Sequence, residues 1–465
     1  MSAFYSDPAI RQRLIEYLGG DTLDSATAVF VTHSDGCLFQ RSELRPPSEL
    51  KLLLDLDIDI ARSLADQESV LFHLDIEYVN FDDPTAAYSD PQRAFAFQEP
   101  TVRVIEELLL EWGIRPLHLI TGQGHHFVWR ISSNSTLAQQ ITALNPAPEM
   151  AYACHLRAGE GVTEEIRLEA QRMFTAIALP MEYIAHRIKW LAAPLSKLPV
   201  EITAVHVGPG QSHNREIVSI DISEYGDPLH TRMVRMPYTN YIKPWVSGLV
   251  GDPRLGEGLP RFRTIPLFEM DVEQAIACSR NEKEVRRLAR RAGTSIPFQE
   301  KGTARLLSEY LSSDLRLFHE EYYSIPHLTE DALEEKCESF SSHLPPCGKS
   351  LLDYPNDRLL KPAGIQLITR SLLGLGWHPR HIADLIRSKF ANPDYCWGVD
   401  WLEYEPGTRA DFYTRLFAGL WKTGVDELVD FNCISTMEKG FCPSEKHEHC
   451  SLFELNHTLT KTNSS

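Results

Sequence analysis

Two acidic side chains stand two residues apart in an otherwise apolar run, Leu71-Phe-His-Leu-Asp75-Ile-Glu77-Tyr-Val79. Alternation along a β-strand puts Asp75 and Glu77 on one face, about 7 Å apart. Carboxylates so placed repel unless a positive charge lies between them, and Mg²⁺ or Mn²⁺ takes oxygen ligands of this kind. The doublet equally suits the solvent-facing edge of a half-buried strand. Further on, Thr121-Gly-Gln-Gly124-His125-His126-Phe-Val-Trp129 joins two glycines to two histidines. The glycines permit a tight turn whose amides could approach a phosphate, and the histidines must face opposite sides of the next strand. A hairpin turn with incidental histidines is the plain alternative. A third segment, Ile217-Val-Ser-Ile-Asp221, ends on a carboxylate and is followed by Arg232, Arg235, Asn240 and Lys243. Arginine offers a triphosphate a bidentate fork and lysine a point charge, although a mixed-charge surface loop accounts for the same residues.

A fourth group lies near the chain end, where Cys433-x8-Cys442-x7-Cys450 runs through a loop-like stretch with Gly440 and Pro443. A closed zinc site or an iron–sulfur cube needs a fourth ligand. His447 and His449 are local candidates, and Cys347 in Ser342-His-Leu-Pro-Pro-Cys347 is a remote one. Cys37, Cys154, Cys278, Cys337 and Cys396 read as core or surface thiols.

The elements that must hold these groups are legible as periodicities. Strands are expected at Ala26–Thr32, Val70–Val79, Leu117–Ile120, Phe127–Ile131, Val200–Val207 and Glu216–Ile222. Helices are expected at Pro8–Leu18, at Pro100–Trp112 with proline in its first turn and Gly113 at its end, and through Thr163–Ala193. From Val272 onward the pattern is mainly helical: Val272–Ala292, Gly302–Ser312, Ala332–Ser341, Gly364–Leu375, Pro379–Phe390 and Arg409–Thr423, with a polar, frayed end from Asn456. The class implied is α+β, an N-terminal catalytic domain with a mixed sheet and helices followed by a mainly α-helical C-terminal domain. The expected divisions are 1–250, a helical connecting region 251–335, and 336–465, as suits a chain of 465 residues.

Nothing at the N-terminus reads as a signal peptide and no apolar run is long enough to span a bilayer, so a cytoplasmic protein without a membrane partner is expected. Nine cysteines in that compartment argue against a disulfide framework. A net charge of −18 opposes nucleic-acid binding in general, but local clusters such as Arg286, Arg287, Arg290 and Arg291 keep it open.

The order of the motifs resembles the archaeo-eukaryotic primase superfamily over roughly residues 60–250. Asp75 and Glu77 match its first acidic motif, Gly124-His125-His126 its small-residue–histidine motif, and Ile220-Asp221 its apolar–Asp step. Arg232-Met-Val-Arg235-Met-Pro237 through Lys243 looks like its Arg-x-Pro stretch ending in a nucleotide-binding lysine, with Asn240 and Tyr241 competing for the position before it. The segments around Cys347, Gly364–Leu375, Asn432-Cys433 and Lys439–Cys442 look like the C-terminal domain of the primase large subunit. The resemblance implies a template-dependent nucleotidyl transferase, a DNA primase or primase-polymerase, using two Mg²⁺ or Mn²⁺ ions on Asp75, Glu77 and Asp221. Gly124, His126, Arg232, Arg235, Asn240 and Lys243 would bind the nucleotide. A 4Fe-4S cluster, or alternatively Zn²⁺, would sit on Cys347, Cys433, Cys442 and Cys450. Expected partners are a single-stranded DNA template, NTP or dNTP, and a replication or helicase protein. Arg370, Arg380, Arg387, Lys389, Arg409 and Arg415, with Trp397, Trp401, Tyr404 and Tyr413, are candidates for the template surface. Two alternatives stay open: a repair polymerase that only extends primers, and a non-catalytic nucleic-acid-binding protein with a structural zinc.

Overall fold

Alternation of apolar and polar side chains makes a strand of Ser69–Asn80, and its long even face of Phe72, Leu74, Ile76 and Tyr78 is buried throughout. The structure is a computed structural model describing residues 3–34, 44–57, 59–144, 147–159, 161–204, 215–246, 248–249, 251–255, 258–340, 343–395, 397–398, 404–443 and 450–463. In chain order its strands are β1 (Val31–Ser34), β2 (Asp59–Ser63), β3 (Ser69–Asn80), β4 (Leu117–Ile120), β5 (Gly124–Ser132), β6 (Val200–Ile202), β7 (Glu216–Asp221), β8 (Met233–Arg235) and β9 (Ile265–Pro266). Six of them form a mixed sheet in the order β6-β7-β3-β5-β4-β9, with β6 parallel to β7 and every other pair antiparallel. A smaller antiparallel sheet, β1-β2-β8, carries Arg235. The architecture is α+β, with many helices around a mixed sheet.

The even face of the large sheet is covered by the Pro91–Trp112 and Glu300–Leu311 helices. The first begins nine residues earlier than its periodicity suggests, leaving Pro100 inside it rather than in its first turn. Asp90 caps it, accepting from Arg93 N at 3.1 Å, and Pro91 supplies a preset φ. The hydrogen bond that Pro100 cannot make is offset by burial of Phe95, Val102, Ile105, Leu108 and Leu109.

Other departures have similar local causes. Val272–Ala292 is two helices, Val272–Ser279 and Glu282–Ala289, because Asn281 caps the second through Lys283 N and Glu284 N. Thr163–Ala193 likewise divides into Val162–Glu165 and Leu168–Ala192. The strand expected at Ala26–Thr32 begins only at Val31, and β6 stops at Ile202; residues 205–207 of that expected strand lie outside the described residues. The expected frayed tail is a helix, Leu452–Asn463, whose Leu452, Leu455 and Leu459 pack onto the Pro362–Gly374 helix. β9, beyond residue 250, extends the sheet of the N-terminal half, and one hydrophobic core runs from Phe4 to Leu459. Among the described residues no helix is long and apolar enough to cross a membrane.

Candidate metal and nucleotide site

Register decides the site. Asp75 pairs with His126 of β5 on one side and with Asp221 of β7 on the other, so the three lie in one row across adjacent strands. Side chains directly opposite on a sheet share a face, which brings together residues 51 and 95 positions apart along the chain. Glu77 stands on that face two residues along β3, and His73 two residues before. His126 Nε2 is 3.4 Å from Asp75 Oδ1, and Lys243 Nζ is 3.7 Å from Glu77 Oε1.

The electrostatics are those of unneutralised carboxyls. Burial, with Glu224 adding to it against the opposing pull of His73, raises Asp75 to about 6. Asp221 is pushed to about 7 by burial and by the charges of Glu224 and Asp75. Burial and the neighbouring His73 hold His126 well below the usual range, so its imidazole is neutral. Among the described residues no group of three His, Cys, Asp or Glu side chains stands ready to hold a metal ion. What the face does offer is buried polar atoms with no hydrogen-bond partner among the described residues, Asp75 Oδ1 and His73 Nε2 in particular. Orphaned oxygen and nitrogen atoms beside two carboxyls of raised pKa fit a divalent cation.

A stability measurement follows from the signs. Both carboxyls bind protons more tightly in the folded chain than at the ordinary 3.8. Between about pH 4 and pH 7 the folded state therefore holds protons that the unfolded chain has lost, and metal-free stability falls as pH rises through that window. Asp221→Asn should flatten this slope, and Mn²⁺ should raise the melting temperature of the wild type more at the alkaline end. Identical pH profiles for wild type and variant would remove the repulsion argument.

The two histidines divide as strand alternation requires. His125 faces the opposite side, with its Nδ1 2.9 Å from His118 Nε2 and its ring against Phe95. The glycines, however, do not form a phosphate cradle. Gly124 N donates to Thr121 Oγ1 at 3.1 Å, and a Cβ there would collide with the Ile76 carbonyl, so Gly124 serves close pairing of β5 on β3. Gly122 leaves room for the rings of Tyr241 and Phe262. His126→Ala is expected to raise the apparent KM for nucleotide about tenfold or more, while His125→Ala leaves it within about twofold, as loss of a ligand contact against loss of packing. Steady-state kinetics at varied nucleotide concentration checks the ordering, and the reverse order would mean the wrong histidine has been assigned.

The trailing cations separate into two sets. Arg235 pairs with Asp59, lies over the Tyr241 ring at 4.5 Å and is within electrostatic reach of Asp75 and Glu77. Lys243 is held charged against its burial chiefly by Glu77. Arg232 and Asn240 are placed otherwise than expected. Arg232 is committed to buried Asp227, which also takes Arg409 Nη1 at 2.6 Å. Asn240 Nδ2 donates to the carbonyl and carboxylate of Asp57 at 2.8 and 3.0 Å, tying down the turn before β2. Arg232 thus sets its charge against a buried carboxylate, and Asn240 gives its amide donors to one turn, so both side chains are engaged within the fold.

Cys347, Cys433, Cys442 and Cys450 line one small gap, closed off by Pro346, Thr436 and Leu452. Helix Pro346–Asp353 delivers the first, the Asn432-capped helix Cys433–Glu438 the second, and Cys450 precedes the last helix. Burial and then the neighbouring Cys450 push Cys347 up to about 12, and the same two causes push Cys433 to about 11. Four thiols lining one gap suit a thiophilic cation. Cys154 is buried and Cys278 and Cys337 are half-buried, whereas Cys37, Cys396, His447 and His449 lie outside the described residues.

Most of the cations expected to meet a template are paired with carboxylates inside the fold. Arg370 is buried against Asp426 and Asp430, Arg380 against Asp411, Arg409 against Asp227, and Arg415 against Glu182 and Asp411. Arg387 pairs with Asp384, Lys389 is half-buried, Tyr413 is buried, Tyr404 lies under Arg409, Trp397 donates to the Asn392 carbonyl, and Trp401 lies outside the described residues. Arg415–Glu182 and Arg409–Asp227 instead join the Pro406–Lys422 helix to the N-terminal half. Arg286, Arg287, Arg290 and Arg291 are each paired with a nearby carboxylate. Two residues that sequence reasoning passed over, His73 and Glu224, stand in the site. Period-two spacing from Asp75 was the available signal for the first.

Comparison with protein-family models, with curated proteins and with solved structures gave no match.

Proposed function

We propose that the chain is a template-directed nucleotidyl transferase of the primase-polymerase type. The observation that supports this reading is the row His126–Asp75–Asp221 across three adjacent strands, flanked by Glu77, Arg235 and Lys243. Asp75, Glu77 and Asp221 would hold Mg²⁺ or Mn²⁺. When bound, two such ions supply Lewis-acid activation of a primer or initiating 3′-hydroxyl and charge stabilisation of departing pyrophosphate. The neutral His126 imidazole can donate one N–H to a phosphate oxygen without adding charge. Arg235 and Lys243 balance the triphosphate, and the Tyr241 ring fixes the height of the Arg235 guanidinium. In the transfer the 3′-hydroxyl gives up its proton to solvent, its oxygen bonds to the α-phosphorus, and the bond to the bridging oxygen of the departing pyrophosphate breaks. The four cysteines would hold a 4Fe-4S cluster, or Zn²⁺, that ties the start of the helical half to its end.

The test is incorporation of labelled NTPs and dNTPs with Mg²⁺ or Mn²⁺ on a single-stranded DNA template, with and without an annealed primer. Products on the bare template support priming. Products only on the primed template support a repair polymerase that extends. Template binding with no incorporation under any of these conditions favours the non-catalytic alternative.

A further inference from the structure

His73 reaches the metal face by an unusual degree of fixation. Its backbone N–H donates to the Tyr225 hydroxyl at 3.0 Å, and that hydroxyl donates to its carbonyl at 3.1 Å. Its ring Nδ1 is 2.8 Å from Glu224 Oε1. Both Glu224 and Tyr225 come from the 3₁₀ turn directly after Asp221, so the segment that delivers the carboxylate also orients the imidazole. With Nδ1 facing a carboxylate, a proton belongs on Nδ1, and Nε2 is the ring atom left to bind a cation in place of any second proton. Nε2 is buried and has no hydrogen-bond partner among the described residues, and the side chain is only 6% exposed. The ring stands edge-on to His126, centroids 4.7 Å apart, on the face that carries Asp75.

A carboxylate that fixes one ring nitrogen while the other is left bare is the arrangement by which proteins orient metal-binding histidines. An orphaned buried polar atom costs about 1–3 kcal/mol, which a cation on Nε2 would recover. We infer that His73 Nε2 is a ligand to the divalent cation held by Asp75, with Glu224 as the residue that positions it. The inference rests on the metal-dependent reading above and adds a nitrogen to an otherwise all-oxygen site. Imidazole suits Mn²⁺ and later first-row ions better than Mg²⁺, whose preference is for oxygen. The site is thereby selective for Mn²⁺ over Mg²⁺.

Electron paramagnetic resonance of Mn²⁺ bound to the full chain tests this without reference to activity. The wild type is expected to bind Mn²⁺ and show coupling to a directly bound nitrogen, altered by ¹⁵N-histidine labelling. His73→Gln should lose that coupling, while His126→Gln keeps it. Because His73 is buried, Glu224→Gln provides a second, gentler variant. It is expected to weaken Mn²⁺ binding about 10-fold or more, as outer-shell changes do, with an unchanged circular dichroism spectrum. Mn²⁺ bound without nitrogen coupling, or coupling that survives His73→Gln, overturns the inference and leaves the carboxylate site standing. A wild type that binds no Mn²⁺, with intact folded spectra, overturns the underlying metal-dependent reading as well.

Discussion

Asp75→Ala should abolish nucleotide incorporation, with a loss of at least about 10³-fold, or about 4 kcal/mol of transition-state stabilisation. Asp75 occupies the centre of the row, opposite both His126 and Asp221, so no neighbouring carboxylate can replace it without a shift of register. Glu77→Ala and Asp221→Ala are expected to fall in the same range. None of the three should unfold the chain. Asp75 Oδ1 makes no hydrogen bond among the described residues, and Asp221 accepts one from Ser223 N at 2.8 Å. Removing either charge should raise metal-free thermal stability at neutral pH, since burial and the other carboxyls already disfavour it. Single-turnover incorporation and thermal melting on the same preparations separate chemistry from folding. Activity within about tenfold of wild type in Asp75→Ala would refute the metal assignment.

The second large effect concerns the cysteines. Anaerobic purification should yield a brown protein with broad visible absorption and about four irons per chain. Cys347→Ser should lose most of that iron and lower the melting temperature of the whole helical half. Cys347 and Cys433 are 86 positions apart, so a shared metal closes a long loop and withdraws much freedom from the unfolded chain. Cys154→Ser, at a thiol in contact with Thr408 and remote from the gap, serves as the control. Colourless protein with one zinc per chain that survives Cys347→Ser would place the metal on a local set of ligands. Both measurements are independent of catalysis, so they stand whatever the incorporation assay returns.

The helices that were easiest to place are those whose ends carry their own chemistry. Pro379–Phe390 lies where its periodicity puts it, because His378 and Pro379 mark its start. Where a boundary depended on tertiary cover, as at Leu452–Asn463, polarity alone misled: the three leucines that hold that helix are spaced among polar residues. The arginines of the helical half misled for the opposite reason. Arg370, Arg380, Arg409 and Arg415 look like solvent cations on helix faces, yet each has a buried carboxylate partner far away in sequence, invisible to local pattern.

Alternation within one strand is a local property, so the common face of Asp75 and Glu77, and the opposed faces of His125 and His126, were legible from residue order alone. Ligand preference is likewise a property of carboxylates, imidazoles and thiols themselves, so residue order was enough to propose a metal-dependent chemistry. Only tertiary structure decided that Asp221 and His126 stand opposite the same residue, since strand order and register are set by the packing of a whole sheet. It also decided which cations remain near the carboxylates. Arg235 and Lys243 do, while Arg232 is paired with buried Asp227 and Asn240 donates to Asp57, because partners distant in sequence are brought beside them by the fold.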